Sequence, residues 1–179
     1  MGIKININFD DKRWLSINFK AMARKAFETT LKSLSRPELL VRTEISVLAC
    51  NDHAIRKLNC KFRGIDAVTD ILSWPKNDQL EDQVHRFYKC NKWDDDFKNE
   101  FGDLGDIAIS YETCIKQSKE LGVRLENHVV HLLVHACLHL LGFTHQEYTD
   151  FQTMKELEIK CLKACGIENP YALQSEPPQ

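Results

Sequence analysis

The chain has 179 residues, of which 43% are hydrophobic and 28% charged, and its formal net charge is −2. This length and composition predict one globular domain over residues 1–179, and the near-zero charge by itself argues against a nucleic-acid-binding protein. No apolar run is long enough to cross a membrane and no secretory signal is visible. Seven cysteines at irregular spacings indicate free thiols, so we expect a cytoplasmic protein.

In chain order, hydrophobic periodicity and the positions of glycine and proline predict alternating strands and helices. The predicted strands are Ile3–Phe9, Thr43–Cys50, Thr69–Trp74 and Asp106–Ile109. The predicted helices are Ile17–Leu34, Asp52–Cys60 with Asp52 as N-cap, Ser110–Gly122 with Ser110 as cap, Leu125–Leu141, and Glu147–Ala164. This order of elements predicts an α+β fold with several helices, followed by a loose tail over residues 170–179.

Charge is unevenly distributed along the chain. Residues 77–102 contain seven acidic and four basic side chains, a net charge of −3, and lack clear periodicity, which predicts an acidic surface insertion. A basic cluster precedes this segment and has no acidic residue between His53 and Ile65. Its members are Arg56, Lys57, Lys61 and Arg63. Such a cluster is usually a solvated face, and only a neighbouring motif gives it a functional interpretation.

Three histidines occur in the sequence HACLHLLGFTH, residues 135–145. In a helix, His135 and His139 point from one face on successive turns, so both can bind one ion. Gly142 can adopt a left-handed conformation that ends the helix, after which His145 approaches the same ion from another side. Three protein ligands leave a fourth tetrahedral position for water, as in catalytic zinc sites. The spacing therefore predicts one bound Zn²⁺ ion.

Other histidines and cysteines near this motif have simpler interpretations. His128 and His131 lie on the same helical stripe but lack a third partner presented by a glycine turn, so we interpret them as structural or supporting residues. Cys161 and Cys165 are four residues apart in a predicted helix and could share a metal. We prefer the alternative that both are buried thiols.

Ala136 distinguishes this motif from a peptidase site. The same histidine spacing binds zinc in metzincin proteases, where the position of Ala136 carries a glutamate that acts as general base. Alanine cannot move a proton, and no Met-turn is recognisable because Met154 lies inside a predicted helix. The motif therefore predicts a hydrolytic zinc site whose nucleophile comes from elsewhere, for example from the 2′-OH of an RNA substrate.

Three motifs together resemble the YbeY family of endoribonucleases, over roughly Thr43 to Gly166. They are FRGIDAVTDILSWP at residues 62–75, GDLGDIAIS at residues 102–110 and VVHLLVHACLHLLGFTH at residues 129–145. The resemblance implies an α+β fold with a small mixed β-sheet and a zinc ion held by His135, His139 and His145. It also implies that Arg63 acts on the phosphate of the substrate.

The resemblance further implies a biological role. It indicates a zinc-dependent endoribonuclease that cleaves single-stranded RNA and acts in 16S rRNA 3′-end maturation and ribosome quality control. The implied partners are the 3′ end of 16S rRNA, the small ribosomal subunit including its protein S11, and the GTPase Era, with no membrane involved. Because acidic residues repel phosphate, we expect residues 77–102 to lie away from the path of the RNA and from the metal.

The sequence departs from the family's pattern at three positions. Ala136 replaces a usual glycine, which changes little because alanine is small and favours a helix. Thr144 stands where aspartate usually precedes the third histidine, so metal binding could be weaker if that carboxylate orients a ligand. Val68 stands where proline is common, which could loosen the loop after Arg63.

Two alternative functions remain open at this point. One is a metalloprotease-like hydrolase without the usual glutamate, which Ala136 disfavours. The other is a non-catalytic ribosome assembly factor in which zinc only stabilises the helix and its following turn. The general base is unassigned, and Asp103 and Asp106 are candidates for which strand-end capping or turn formation is an equal alternative.

Overall fold

A four-stranded mixed β-sheet forms the centre of the computed structural model, which describes residues 2–34, 43–76, 102–144 and 148–171. The strands are β1 (Lys4–Phe9), β2 (Glu44–Cys50), β3 (Ile71–Pro75) and β4 (Asp103–Ser110). The helices are α1 (Phe19–Ser33), α2 (Asp52–Arg63), α3 (Tyr111–Glu120), α4 (Leu125–Leu140) and α5 (Tyr148–Ala164), with a 3-10 turn at Lys12–Ser16. The predicted α+β fold with a small mixed sheet is confirmed.

The order of the strands differs from their order in the chain. The sheet runs β1-β2-β4-β3, with β1, β2 and β4 parallel and β3 antiparallel to β4 at one edge. The last strand of the sequence therefore occupies an inner position. As a consequence, β3 lies at an edge of the sheet formed by the described residues, and α4 contacts it.

Helix α4 packs between the sheet and the neighbouring helices α1 and α5, which explains its nearly continuous apolar sequence. The side chains of Val129, Leu133, Cys137 and Leu138 are fully buried. A helix buried on most sides needs little polar surface, and its half-buried histidines are the exception to this pattern. In the described residues, no helix combines the length and the apolar character that crossing a membrane requires.

Asn51, and not Asp52 as predicted, is the N-cap of α2. The Asn51 side chain accepts a hydrogen bond from the Ala54 amide at 2.9 Å. Asp52 instead accepts hydrogen bonds from the hydroxyls of Ser110 at 2.5 Å and Thr113 at 2.6 Å. Ser110 occupies the N-cap position of α3, but its hydroxyl makes no capping bond. These contacts join the first turns of α2 and α3.

Some of the remaining predictions concern residues that the structure describes, and others concern residues outside them. Apart from exposed Gly102, the predicted acidic insertion lies outside them, so its position stays a prediction. Cys161 and Cys165 are buried, as we preferred, and burial raises the pKa of the Cys161 thiol, which opposes the thiolate form that binds metals. Residues 172–179 of the predicted loose tail also lie outside the described residues.

Gly105 is required by a close approach between β4 and β3. The register between β2 and β4 shifts at this point, because Glu44 pairs with Asp103 while Ile45 pairs with Gly105. Gly105 has a φ of 132°, and a Cβ atom there would lie 2.1 Å from the carbonyl oxygen of Trp74. Only glycine fits both the conformation and the space.

We therefore expect Gly105→Ala to lower the free energy of unfolding by at least about 2 kcal/mol, from backbone strain and the clash with Trp74. Urea denaturation measures this change. Gly102→Ala is the matched control, since a Cβ at Gly102 meets no atom within 4 Å. Equal stability of the two variants would contradict this account of the sheet.

Candidate metal and phosphate site

A cleft of about 840 Å³ lies between the strand β3, the C-terminal half of α4 and the end of α2. Its lining includes His135 and His139 from α4, Arg63, which is the last residue of α2, and Thr144 from the turn after α4. Two of the three predicted metal ligands and the predicted phosphate-binding arginine thus line one concavity. The third predicted ligand, His145, lies outside the described residues, so its role stays a prediction.

The two described histidines face each other across one helical turn. Their Nε2 atoms lie 3.0 Å apart, and their ring planes are inclined at 81°. This is the direct result of the i, i+4 spacing, which places both side chains on the same face of α4. The arrangement directs two imidazole nitrogens at one point in the cleft.

The other ring nitrogen of each histidine has an acceptor that fixes the tautomer. His139 Nδ1 lies 2.9 Å from the carbonyl oxygen of Phe143, which can only accept, so Nδ1 carries the proton. His135 Nδ1 lies 2.7 Å from Oε1 of Glu158 in α5. Burial opposes ionisation of Glu158, but hydrogen bonds from His131 and His135 outweigh it and hold the pKa of this carboxyl well below its usual range. Glu158 is therefore an acceptor too, so in the neutral ring of each histidine the lone pair lies on Nε2.

Gly142 creates the turn that supplies the Phe143 carbonyl. It has a φ of 89°, and its amide and that of Phe143 bond back to the carbonyls of His139 and Leu138, both at 3.0 Å. A left-handed residue after the last helical turn is a common helix end and reverses the chain toward the cleft. The predicted end of the histidine helix at Gly142 is confirmed.

These side chains fit a divalent metal ion. The two Nε2 atoms lie 3.0 Å apart, close enough for one divalent cation to bind both when the rings are neutral. Nitrogens that bind one tetrahedral zinc at about 2.0–2.1 Å lie roughly 3.3 Å apart, close to the observed separation. A hydrogen bond on the second nitrogen of each ring is also typical of metal-binding histidines. His135 and His139 would hold the ion through Nε2.

Arg63 lines the cleft because α2 ends there. Gly64 follows it in a left-handed conformation, with a φ of 70°, and the Arg63 side chain is exposed.

One positive charge of the predicted basic cluster is already paired within the protein. Arg56 makes a bidentate pair with Asp66 at 2.7 and 2.8 Å, and this pairing lowers the pKa of the Asp66 carboxyl.

Neither candidate for the general base lines the cleft. Asp103 accepts a hydrogen bond from the Gly105 amide at 3.1 Å, which is the turn interpretation of this residue. Asp106 lines a separate groove between the four-stranded sheet and α2, together with Trp74. The acidic residue that does line the cleft is Asp70, whose Oδ1 accepts a hydrogen bond from the Ile71 amide at 2.7 Å.

The comparison with known proteins identifies the family. The family described as Endoribonuclease YbeY matches residues 6–166 of this chain. The chain belongs to the YbeY family.

Similar proteins span nearly the whole chain. A protein of Dinoroseobacter shibae named Endoribonuclease YbeY is 37% identical over 167 residues, which cover 93% of this chain and 90% of that protein. A protein of Jannaschia sp. with the same name is 33% identical over 170 residues, covering 94% of this chain and all of that protein. The solution structure of TM1509 from Thermotoga maritima covers 99% of both chains at a TM-score of 0.50 and 19% identity, and this likeness concerns the fold alone.

Two residues of the site were not predicted from the YbeY motifs. Glu158 lies in α5, 23 residues after the histidine that it contacts, and nothing in its local sequence distinguishes it from other helical glutamates. Tyr171 was assigned to the loose tail, but it is half-buried, lines the cleft and donates a hydrogen bond to Glu158. The low exposure of an acidic residue is visible only in the folded structure.

The remaining histidines of α4 have different surroundings. His128 is buried, and its Nε2 lies 2.9 Å from the Gln117 side-chain oxygen. Burial lowers the pKa of His128, which favours a neutral structural residue. His131 lines the cleft, 3.5 Å from Glu158, and packs edge-on against Tyr171. His128 therefore fits the structural interpretation, and His131 fits the supporting one.

Proposed function

We propose that this protein is a zinc-dependent endoribonuclease that cleaves single-stranded RNA in the cytoplasm. Its proposed role is 16S rRNA 3′-end maturation and ribosome quality control. The observation that carries the proposal is the shared cleft, which is lined by Arg63 and by the pair formed by His135 and His139. Membership of the YbeY family and the name of its relatives support the same substrate class.

Several groups in and around the cleft have a task in the proposed reaction. His135, His139 and His145 would hold the ion, Glu158 would keep His135 in the required tautomer, and the Phe143 carbonyl would do the same for His139. When bound, Zn²⁺ supplies a Lewis acid beside the scissile phosphate. Arg63 donates hydrogen bonds to non-bridging phosphate oxygens, where negative charge develops during cleavage. Ala136 lines the cleft and transfers no proton, so the 2′-OH of RNA is a suitable nucleophile.

RNA cleavage with and without a chelator tests this function. Purified protein of measured zinc content should cleave a single-stranded 16S rRNA 3′-end oligonucleotide but not the same sequence in a duplex. Chelation should abolish cleavage and added zinc should restore it. RNA binding without cleavage would favour the non-catalytic assembly factor, and cleavage of an unstructured peptide would favour the metalloprotease.

The proposed partners follow from the same role. They are the 16S rRNA 3′ end, the small ribosomal subunit including protein S11, and the GTPase Era. Co-purification of the zinc-loaded and zinc-free protein with small ribosomal subunits tests binding to the subunit and to its 16S rRNA together. The acidic segment at residues 77–102 is proposed to lie off the RNA path, and a structure with Asp94, Asp95 or Asp96 on the metal would contradict that placement.

A further inference from the structure

Glu158 is a buried carboxylate contacted by three side chains, two from α4 and one from the segment after α5. Only 1% of its surface is exposed, although ionised glutamate is among the side chains least often buried. One oxygen accepts from His135 Nδ1 at 2.7 Å and lies 3.5 Å from His131 Nε2. The other accepts a hydrogen bond from the Tyr171 hydroxyl.

Packing alone does not account for this arrangement. Removing an ionised carboxylate from water costs several kcal/mol, and an apolar residue of similar size would pack in its place at no such cost. In the described part of the chain, the ion pairs of Glu158 are with His131 and His135, and neither lysine nor arginine is among them. The donors that compensate its burial therefore include a side chain whose second nitrogen points into the cleft.

Tyr171 is suited to hold the carboxylate and does so from beyond the end of α5. Burial and the neighbouring Glu158 charge raise the pKa of the Tyr171 hydroxyl, so it keeps the proton that it donates. Its ring packs edge-on against His131, with centroids 6.1 Å apart. The residue lies outside the part of the chain that matches the family, residues 6–166.

We propose that Glu158 and Tyr171 are positioning residues of the metal centre. Glu158 holds the Nδ1 proton of His135, which places the lone pair of the neutral ring on Nε2 and fixes the ring toward His139. Tyr171 fixes the second oxygen of Glu158, so the segment after α5 contributes to metal affinity without contacting the ion. This inference rests on the proposed metal site, and it concerns the affinity of that site.

Three variants of the full chain test the proposal. Glu158→Gln removes the charge and keeps the shape, Tyr171→Phe removes only the hydroxyl, and Glu156→Gln is the matched control on the exposed side of α5. Zinc affinity is measured by competition with a chromophoric chelator. The tautomer of His135 is measured in the metal-free protein by long-range ¹H–¹⁵N NMR correlation. The thermal unfolding midpoint of each metal-free variant shows whether it is folded.

Glu158→Gln should weaken zinc binding about 10- to 100-fold, the usual effect of losing a hydrogen-bond partner of a metal ligand. Its His135 should also show a second tautomer, because an amide can present either its oxygen or its NH₂ group. Tyr171→Phe should weaken zinc binding about threefold to tenfold, as expected for one lost hydrogen bond. The Glu156→Gln variant should match the wild type.

Wild-type zinc affinity and a single His135 tautomer in Glu158→Gln would overturn the proposal. If Glu158→Gln does not fold, unchanged zinc affinity in a folded Tyr171→Phe would overturn the role of the pair. Absence of zinc binding by the wild type would overturn the proposed function instead, while the NMR result would still decide whether Glu158 fixes His135.

Discussion

Arg63→Ala is expected to reduce the rate of RNA cleavage by about 10²- to 10³-fold while zinc content and thermal midpoint stay unchanged. A preorganised donor directed at developing charge contributes about this much to catalysis. The Arg63 side chain is exposed at the end of α2, so its removal costs the fold little. The substitution is not expected to change metal binding, because the positively charged arginine repels the metal cation. Arg63 is expected to bind the substrate phosphate that lies between it and the metal.

Arg63→Lys should restore only part of the lost rate, since an ammonium group keeps the charge but lacks the two-pronged geometry of a guanidinium. Arg56→Ala is the matched control, because Asp66 already occupies that guanidinium. RNA affinity should fall less than cleavage, as Lys57 and Lys61 still provide salt-dependent attraction. Normal cleavage by Arg63→Ala would show that Arg63 takes no part in the mechanism. An Arg63→Ala variant that does not fold would show that Arg63 has a structural role instead.

Replacing His145 with alanine is expected to remove most of the bound metal and to abolish RNA cleavage, with much of α4 intact. Two histidine ligands that remain cannot complete the three-ligand site, so zinc dissociates on dialysis. His139→Ala should have the same effect, because its Nε2 lies 3.0 Å from that of His135. Elemental analysis and circular dichroism measure the metal and the helix.

His53→Ala is the control for these replacements, since His53 is exposed on α2. It should retain full zinc content and cleavage. Full metal occupancy in His145→Ala would show that the assignment of this ligand is wrong. Loss of α4 helicity in His139→Ala would show that the residue supports the fold as well as the site.

Local patterns in the sequence were sufficient to predict the elements and one face of the site. The spacing of His135 and His139 determines their side of a helix, and Gly142 is a recognisable helix end, because both depend on residues within one or two turns. The same local signals misassigned the cap of α2. Asn51 and Asp52 are both good cap residues, and only the approach of Ser110 and Thr113 gives Asp52 a different role.

Contacts between distant parts of the chain could not be read from the sequence. The pairing of Arg56 with Asp66 depends on how the loop after α2 folds back, and the contact of Glu158 with His135 depends on how α5 packs on α4. Tyr171 belongs to a segment whose composition resembles a loose end. Tyr171 is held by a hydrogen bond to the buried Glu158 and by the contact of its ring with His131.

The inner position of β4 restricts the order in which the sheet can assemble during protein synthesis. β4 pairs with both β2 and β3, yet it follows them in the chain, so neither pairing exists until residues 103–110 have left the ribosome. Until then β1–β2 is the one strand pair available among the described residues, and two parallel strands alone are unstable in water. The nascent first half therefore depends on later residues for its structure. Such late pairing between distant segments is typical of slow folding and of exposure to chaperones and proteases.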